Sequence, residues 1–146
     1  MSRRTPHAAW VAVPLLLLAG AASATQRGIH YGEIDDPGLV ACDQQLWEGQ
    51  LQRARACYRQ LLGKAPATAL RAELAWAQGE LKAANRWFRQ AVQENPESAP
   101  LRTRWGWLFA VTHQAAEAQA LFDEALTLDP NYVYAKLGLA SVMAGG

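Results

Sequence analysis

The chain has 146 residues, 51% hydrophobic and 18% charged, with 14 Lys and Arg against 13 Asp and Glu and only two Cys. That composition excludes a disordered chain, a disulfide-framework miniprotein and a strongly basic nucleic-acid binder. The length is that of one domain able to bury most of its apolar surface.

Residues 1–24 read as a secretory signal. Arg3 and Arg4 open it, Ala8 to Ala21 is almost wholly apolar around Leu15-Leu16-Leu17-Leu18, and Ala22-Ser23-Ala24 supplies the small-x-small site that a signal peptidase cuts. A membrane anchor needs about 20 apolar residues; this run is shorter, is broken by Pro14 and lacks a basic stop. Thr5-Pro6-His7 lacks the apolar residues a twin-arginine signal carries there, which favours the general secretory route. Cleavage after Ala24 is expected, giving a periplasmic or secreted protein with 12 basic and 13 acidic residues and no membrane span. Residues 25–36, with Gly28, Gly32, Asp35 and Asp36, read as a flexible leader.

An internal repeat follows. Ala84, Phe88, Ala91 and Pro96 return as Ala118, Phe122, Ala125 and Pro130, each 34 residues on, and Ala54, Tyr58, Leu61 and Pro66 share the internal spacing. Such a period is that of stacked helical hairpins. Small, aromatic and small residues at i, i+4 and i+7 lie along one helix face, and the proline stops the helix. The preceding helix is clearest in Leu101 to Phe109. There Gly106 is expected to oppose Ala118, because a glycine inside a helix costs about 1 kcal/mol against alanine and needs a packing reason.

These residues resemble the tetratricopeptide repeat (TPR) family, whose pattern is an apolar-Gly-x-x-aromatic helix, then Ala-x-x-x-aromatic-x-x-Ala, then Pro. Trp105, Gly106, Phe109, Ala118, Phe122, Ala125 and Pro130 match it in residues 99–132. Residues 65–98 match in the second helix, with Ala72 and Gly79 at small-residue places. They depart in the first helix, where Arg71 takes an apolar place and the Pro66 to Pro96 interval is 30, about one turn short. Residues 35–68 place Gly49, Leu51, Ala54, Tyr58, Leu62 and Pro66, with Gln45 where an aromatic is usual; Ala135, Leu139 and Ala140 begin a partial unit at 133–146. With the signal, the chain resembles an exported, bacterial-type TPR protein. The resemblance implies an all-α fold over residues 37–146: a right-handed stack of about three helix-turn-helix hairpins plus a terminal helix. That last helix either caps the stack or continues in a longer relative, and Leu137, Leu139 and Val142 would leave it an exposed apolar face.

Under this alignment Cys42 and Cys57 lie on facing helices of the first hairpin. A disulfide staple is the favoured reading in an exported protein; two reduced, buried cysteines are the alternative. His30 and His113 stand alone, without metal-ligand spacing or a haem-attachment motif, so neither metal nor cofactor is expected. No nucleophile motif or phosphate loop is present, and Glu117, Asp123, Glu124 and Asp129 read as a solvated charged face. The chain is read as not an enzyme.

In TPR proteins the first helices line a concave groove that holds a peptide or a partner's helix. Carried over position by position, this puts Leu39, Asp43, Trp47, Glu73, Trp76, Trp107, Tyr134 and Ser141 on or near the groove, while Trp87 and Trp105 read as structural. Of these, Trp47, Glu73, Trp76, Trp107 and Tyr134 form the expected partner-binding set, since tryptophans anchor interfaces well. Charge is uneven: Arg53 to Arg104 holds ten basic and four acidic residues. The arginines at 53, 55, 59, 86 and 89 fall on second helices, where they read first as a solvated outer face and second as a dock for an anionic partner. The expected function is an exported, non-catalytic adaptor or assembly factor that binds a protein or peptide and no nucleic acid. The alternatives are a periplasmic chaperone-like factor, for example in cytochrome c maturation, or a piece of a larger TPR protein.

Overall fold

The structure is a computed structural model and describes residues 36–64 and 66–145. The expected signal peptide, its cleavage point after Ala24 and the leader up to Asp35 lie outside the described residues. Among the described residues there are seven helices and no strand: α1 (Pro37–Trp47), α2 (Leu51–Gly63), α3 (Thr68–Ala77), α4 (Leu81–Glu94), α5 (Ala99–Val111), α6 (Ala115–Leu128) and α7 (Val133–Ala144). The hairpins α1–α2, α3–α4 and α5–α6 pack one on the next, and α7 lies against α5 and α6. This is an all-α stack of helical hairpins.

Local chemistry sets the boundaries. The Asp36 carboxylate accepts from the Leu39 amide at 2.9 Å with Pro37 opening α1, and the Ser98 hydroxyl accepts from the Leu101 amide at 3.3 Å at the start of α5. Each hairpin turns on one residue with positive φ: Gly49 at 76°, Gly79 at 78° and His113 at 60°. Glycine adopts that conformation without steric cost, whereas histidine does not. The short 30-residue interval removes the first turn of α3, which has 10 residues where α5 has 13. Stacking survives the loss, because Leu70, Leu74 and Ala77 still bury against Leu39, Ala54 and Tyr58.

The recurring small and aromatic residues form the core. Ala54, Tyr58, Ala84, Phe88, Ala91, Ala118, Phe122 and Ala125 are all buried. A Cβ on Gly106 would meet the Phe122 ring at 2.7 Å, so the glycine makes room for that ring, in the cluster that also holds Ala118. Gly138 does the same from α7, where an added Cβ would run into the same ring. Phe122 therefore sits between two backbones, and the small residue that α7 needs is Gly138 rather than Ala140, which is exposed. On α7 the exposed large apolar residues are Val133, Leu137 and Met143. Leu139 and Val142 instead pack on the core, because they share the inward face with Ala135 and Gly138.

The first hairpin carries a covalent staple. Cys42 on α1 and Cys57 on α2 form a disulfide, with Cα atoms 5.5 Å apart and a sequence separation of 15. Closing a loop of that size stabilises by about 3 kcal/mol in the chain-entropy model. At the join of the second unit, the Thr68 hydroxyl, followed by the Gln90 amide, holds the Glu94 carboxyl below its ordinary range.

Candidate partner-binding face

The first helices of the three units present one register to one side. Leu39 on α1, Glu73 on α3 and Trp107 on α5 stand 34 residues apart, Asp43 and Thr103 stand 30 residues before and after Glu73, and Trp76 lies one turn along α3 from Glu73. Charge and aromatic surface are tied together along this row. The Tyr58 hydroxyl reaches from α2 and donates to Asp43 Oδ1 at 2.6 Å.

The centre of the row is an ion pair between two units. Arg104 Nε donates to Glu73 Oε1 at 2.6 Å and Arg104 Nη2 donates to Glu73 Oε2 at 2.8 Å, a two-pronged pair whose side chains are 3% and 1% exposed. The same guanidinium lies 4.8 Å from the centre of the Trp76 ring, an arrangement the planar, delocalised arginine cation suits. Trp76 in turn meets Phe88 edge-on at 6.2 Å, and Trp107 meets Phe122 edge-on at 5.6 Å. Two polar atoms of this region, Trp76 Nε1 and Thr103 Oγ1, are buried without a hydrogen-bond partner among the described residues.

The residues singled out from the sequence thus fall in two classes. Trp47 is 49% exposed and Tyr134 is half-buried against Tyr132, at 5.7 Å between rings. Glu73, Trp76 and Trp107 are buried instead of presenting open side chains: the ion pair claims the carboxylate, and Phe88, Arg104 and Phe122 claim the rings. Leu39 and Asp43 are buried as well, while Ser141 is exposed. Trp105 and Trp87 are half-buried; the Trp105 indole donates to Asn85 Oδ1 at 2.7 Å, and Trp87 carries the Arg71 guanidinium 5.2 Å from its ring. Arg104 was not singled out at all. The one sign of it in the sequence is a cation inside an otherwise apolar helix face, opposite a carboxylate one unit earlier.

Among the described residues no group of three His, Cys, Asp or Glu side chains could hold a metal ion, and no helix is long and apolar enough to cross a membrane.

No protein-family model matches the sequence, and no curated protein matches it. Solved structures do. The TPR domain of Sgt2 from Aspergillus fumigatus is similar with a TM-score of 0.55 and 17% identity, over 81% of this chain and 83% of that one. The second TPR domain of human RPAP3, solved with the HSP70 peptide SGPTIEEVD, gives 0.51 and 22% over 73% and 92%. The first TPR of Spaghetti (RPAP3), bound to the HSP90 peptide SRMEEVD, gives 0.51 and 20% over 81% and 98%. At these identities the likeness shows the fold, and the fold is that of TPR domains.

Proposed function

We propose that this chain is an exported, non-catalytic interaction module, an adaptor or assembly factor that holds a polypeptide segment along the side formed by its first helices. The observation that carries the reading is the row of charged and aromatic side chains along the first helices, Asp43 on α1, Glu73 and Trp76 on α3 and Arg104 and Trp107 on α5. Trp76, Trp107 and the Glu73–Arg104 pair form its floor, and Trp47 and Tyr134 are the contacts that a partner reaches. The two RPAP3 structures of similar fold hold short peptides, which supports a peptide as the occupant here. The apolar run before Ala22-Ser23-Ala24 and the Cys42–Cys57 disulfide support export.

The chemistry of the floor narrows the ligand. Those peptides end in Glu-Glu-Val-Asp, whereas here the buried charges are already engaged, Glu73 with Arg104 and Asp43 with the Tyr58 hydroxyl. A segment whose apolar side chains pack on Trp47 and Tyr134 therefore fits this face better than one that relies on its carboxylates. Selection from a random peptide library, followed by calorimetric titration, tests the reading. The expected result is enrichment of apolar sequences and at least tenfold weaker binding by W47A/Y134A with unchanged circular dichroism. Unchanged affinity in that variant, or preference for acidic peptides, would refute it.

A further inference from the structure

The second helices carry a sharply divided charge. α2 holds Arg53, Arg55 and Arg59 with no carboxylate, and α4 holds Lys82, Arg86 and Arg89 with one, Glu94 at its end. α6 reverses this, with Glu117, Asp123 and Glu124 and no cation. All six cations except the half-buried Arg55 are exposed, and none forms an ion pair with another described residue. On α4 they fall at i, i+4 and i+7, one stripe, turned away from the buried stripe of Ala84, Phe88 and Ala91. Six like charges on two helices of one side repel one another, and nothing described on these helices neutralises them.

We infer that the α2–α4 side is a docking surface for an anionic phospholipid bilayer. Three observations favour lipid over other anions. Five of the six cations are arginine, whose planar fork pairs with phosphate oxygens in two-pronged fashion. Among the described residues the surface lacks an exposed hydrophobic anchor: the exposed large apolar residues, Val40, Trp47, Val133, Leu137 and Met143, all lie on α1 and α7, and Trp87 of α4 is half-buried with Arg71 over its ring. A protein partner of useful affinity draws on such anchors, and single-stranded nucleic acid draws on exposed aromatics for stacking. Cations spread over two helices, with only open, shallow hollows beside Arg53 and beside Lys82 and Arg86, suit a headgroup layer, where each adds its own increment. The partner-binding side would then stay open while the opposite side rests on the membrane. This inference uses the exported reading only in choosing a leaflet rich in phosphatidylglycerol.

Each basic residue near an anionic leaflet contributes about 1 kcal/mol, or about fivefold in partition. The test is sedimentation of the full chain with vesicles of phosphatidylcholine alone and of phosphatidylcholine with 30 mol% phosphatidylglycerol. Neutral vesicles set the baseline for any contribution from the apolar N-terminal run. The expected result is a phosphatidylglycerol-dependent increment that falls steeply as salt rises from 0.01 to 0.3 M, as the screening length shortens from about 30 Å to below 10 Å. R59Q/R86Q/R89Q should lose about a hundredfold of the increment, whereas E117Q/D123Q/E124Q on α6 should keep it. Equal binding to both vesicle types, an unaffected arginine variant, or tighter binding to duplex DNA than to the acidic vesicles at matched salt overturns the inference. Peptide binding by R59Q/R86Q/R89Q, measured alongside, separates this surface from the partner-binding face: loss of lipid with peptide retained concerns only the surface.

Discussion

Replacing Gly138 by alanine sets two effects of opposite sign against each other. Alanine inside a helix is better than glycine by about 1 kcal/mol, so propensity alone predicts a stabilised protein. The structure predicts the reverse. The new Cβ would stand 2.4 Å from two carbons of the Phe122 ring, closer than real Cβ atoms come. The ring has little room to yield, since the α5 backbone at Gly106 also lies against it and Trp107 lies 5.6 Å away. Overpacking a filled core costs about 1–3 kcal/mol, and confinement by two helices puts this case at the upper end. The expected net loss is about 1–2 kcal/mol, and for a domain of this size each kcal/mol lowers Tm by about 4–8 °C. Urea and thermal unfolding followed by circular dichroism read it directly. G63A is the control: that glycine has nothing within 4 Å of its added Cβ, so the same change there should gain about 0.5–1 kcal/mol. In the F122A background G138A should cost at least 1 kcal/mol less than in the parent, the coupling expected of touching residues. A G138A protein as stable as the parent would show that the ring is not confined.

H113G should raise stability by about 0.5–1 kcal/mol by relieving the left-handed backbone that the other two turns give to glycine; a lower midpoint in urea would contradict this. C42S/C57S, or reduction of the parent, should cost about 3 kcal/mol, with the loss of protection in amide exchange greatest in α1 and α2; a uniform loss along the chain would count against a local staple. E73A leaves Arg104 buried without its counter-charge and should cost about 3–5 kcal/mol, whereas E73L/R104M should recover most of that. Equal stability of the two variants would mean that the pair is not desolvated as described.

Much of the stack was legible because the second helices repeat their packing residues in sequence. Ala84, Phe88 and Ala91 recur as Ala118, Phe122 and Ala125, and prolines mark where each helix must end. The missing turn of α3 was visible as a shortened interval, although which turn is lost depends on where the helix is capped. Contacts between helices were harder to read. The spacing of Gly106 pointed to Ala118, but the ring that its missing Cβ makes room for is that of Phe122, one helical turn further on. Trp76 and Trp107 illustrate a deeper ambiguity: an aromatic at helical spacing on a first helix serves equally as groove lining or as floor, and only the positions of Phe88 and Phe122 decide. The Glu73–Arg104 pair spans 31 residues, and neither partner has a local pattern that announces the other.

That pair also sets how the units can move. Each unit of a solenoid meets only its neighbours, so its curve is the sum of the angles at its joints. Between the second and third units the angle is pinned by a desolvated, two-toothed clasp whose geometry tolerates little rotation. Between the first and second units the visible seam is greasy, Leu70, Leu74 and Ala77 sliding on Leu39, Ala54 and Tyr58. Any opening and closing of the row around a guest should therefore concentrate at the first seam, with the crosslinked first hairpin swinging as one rigid jaw.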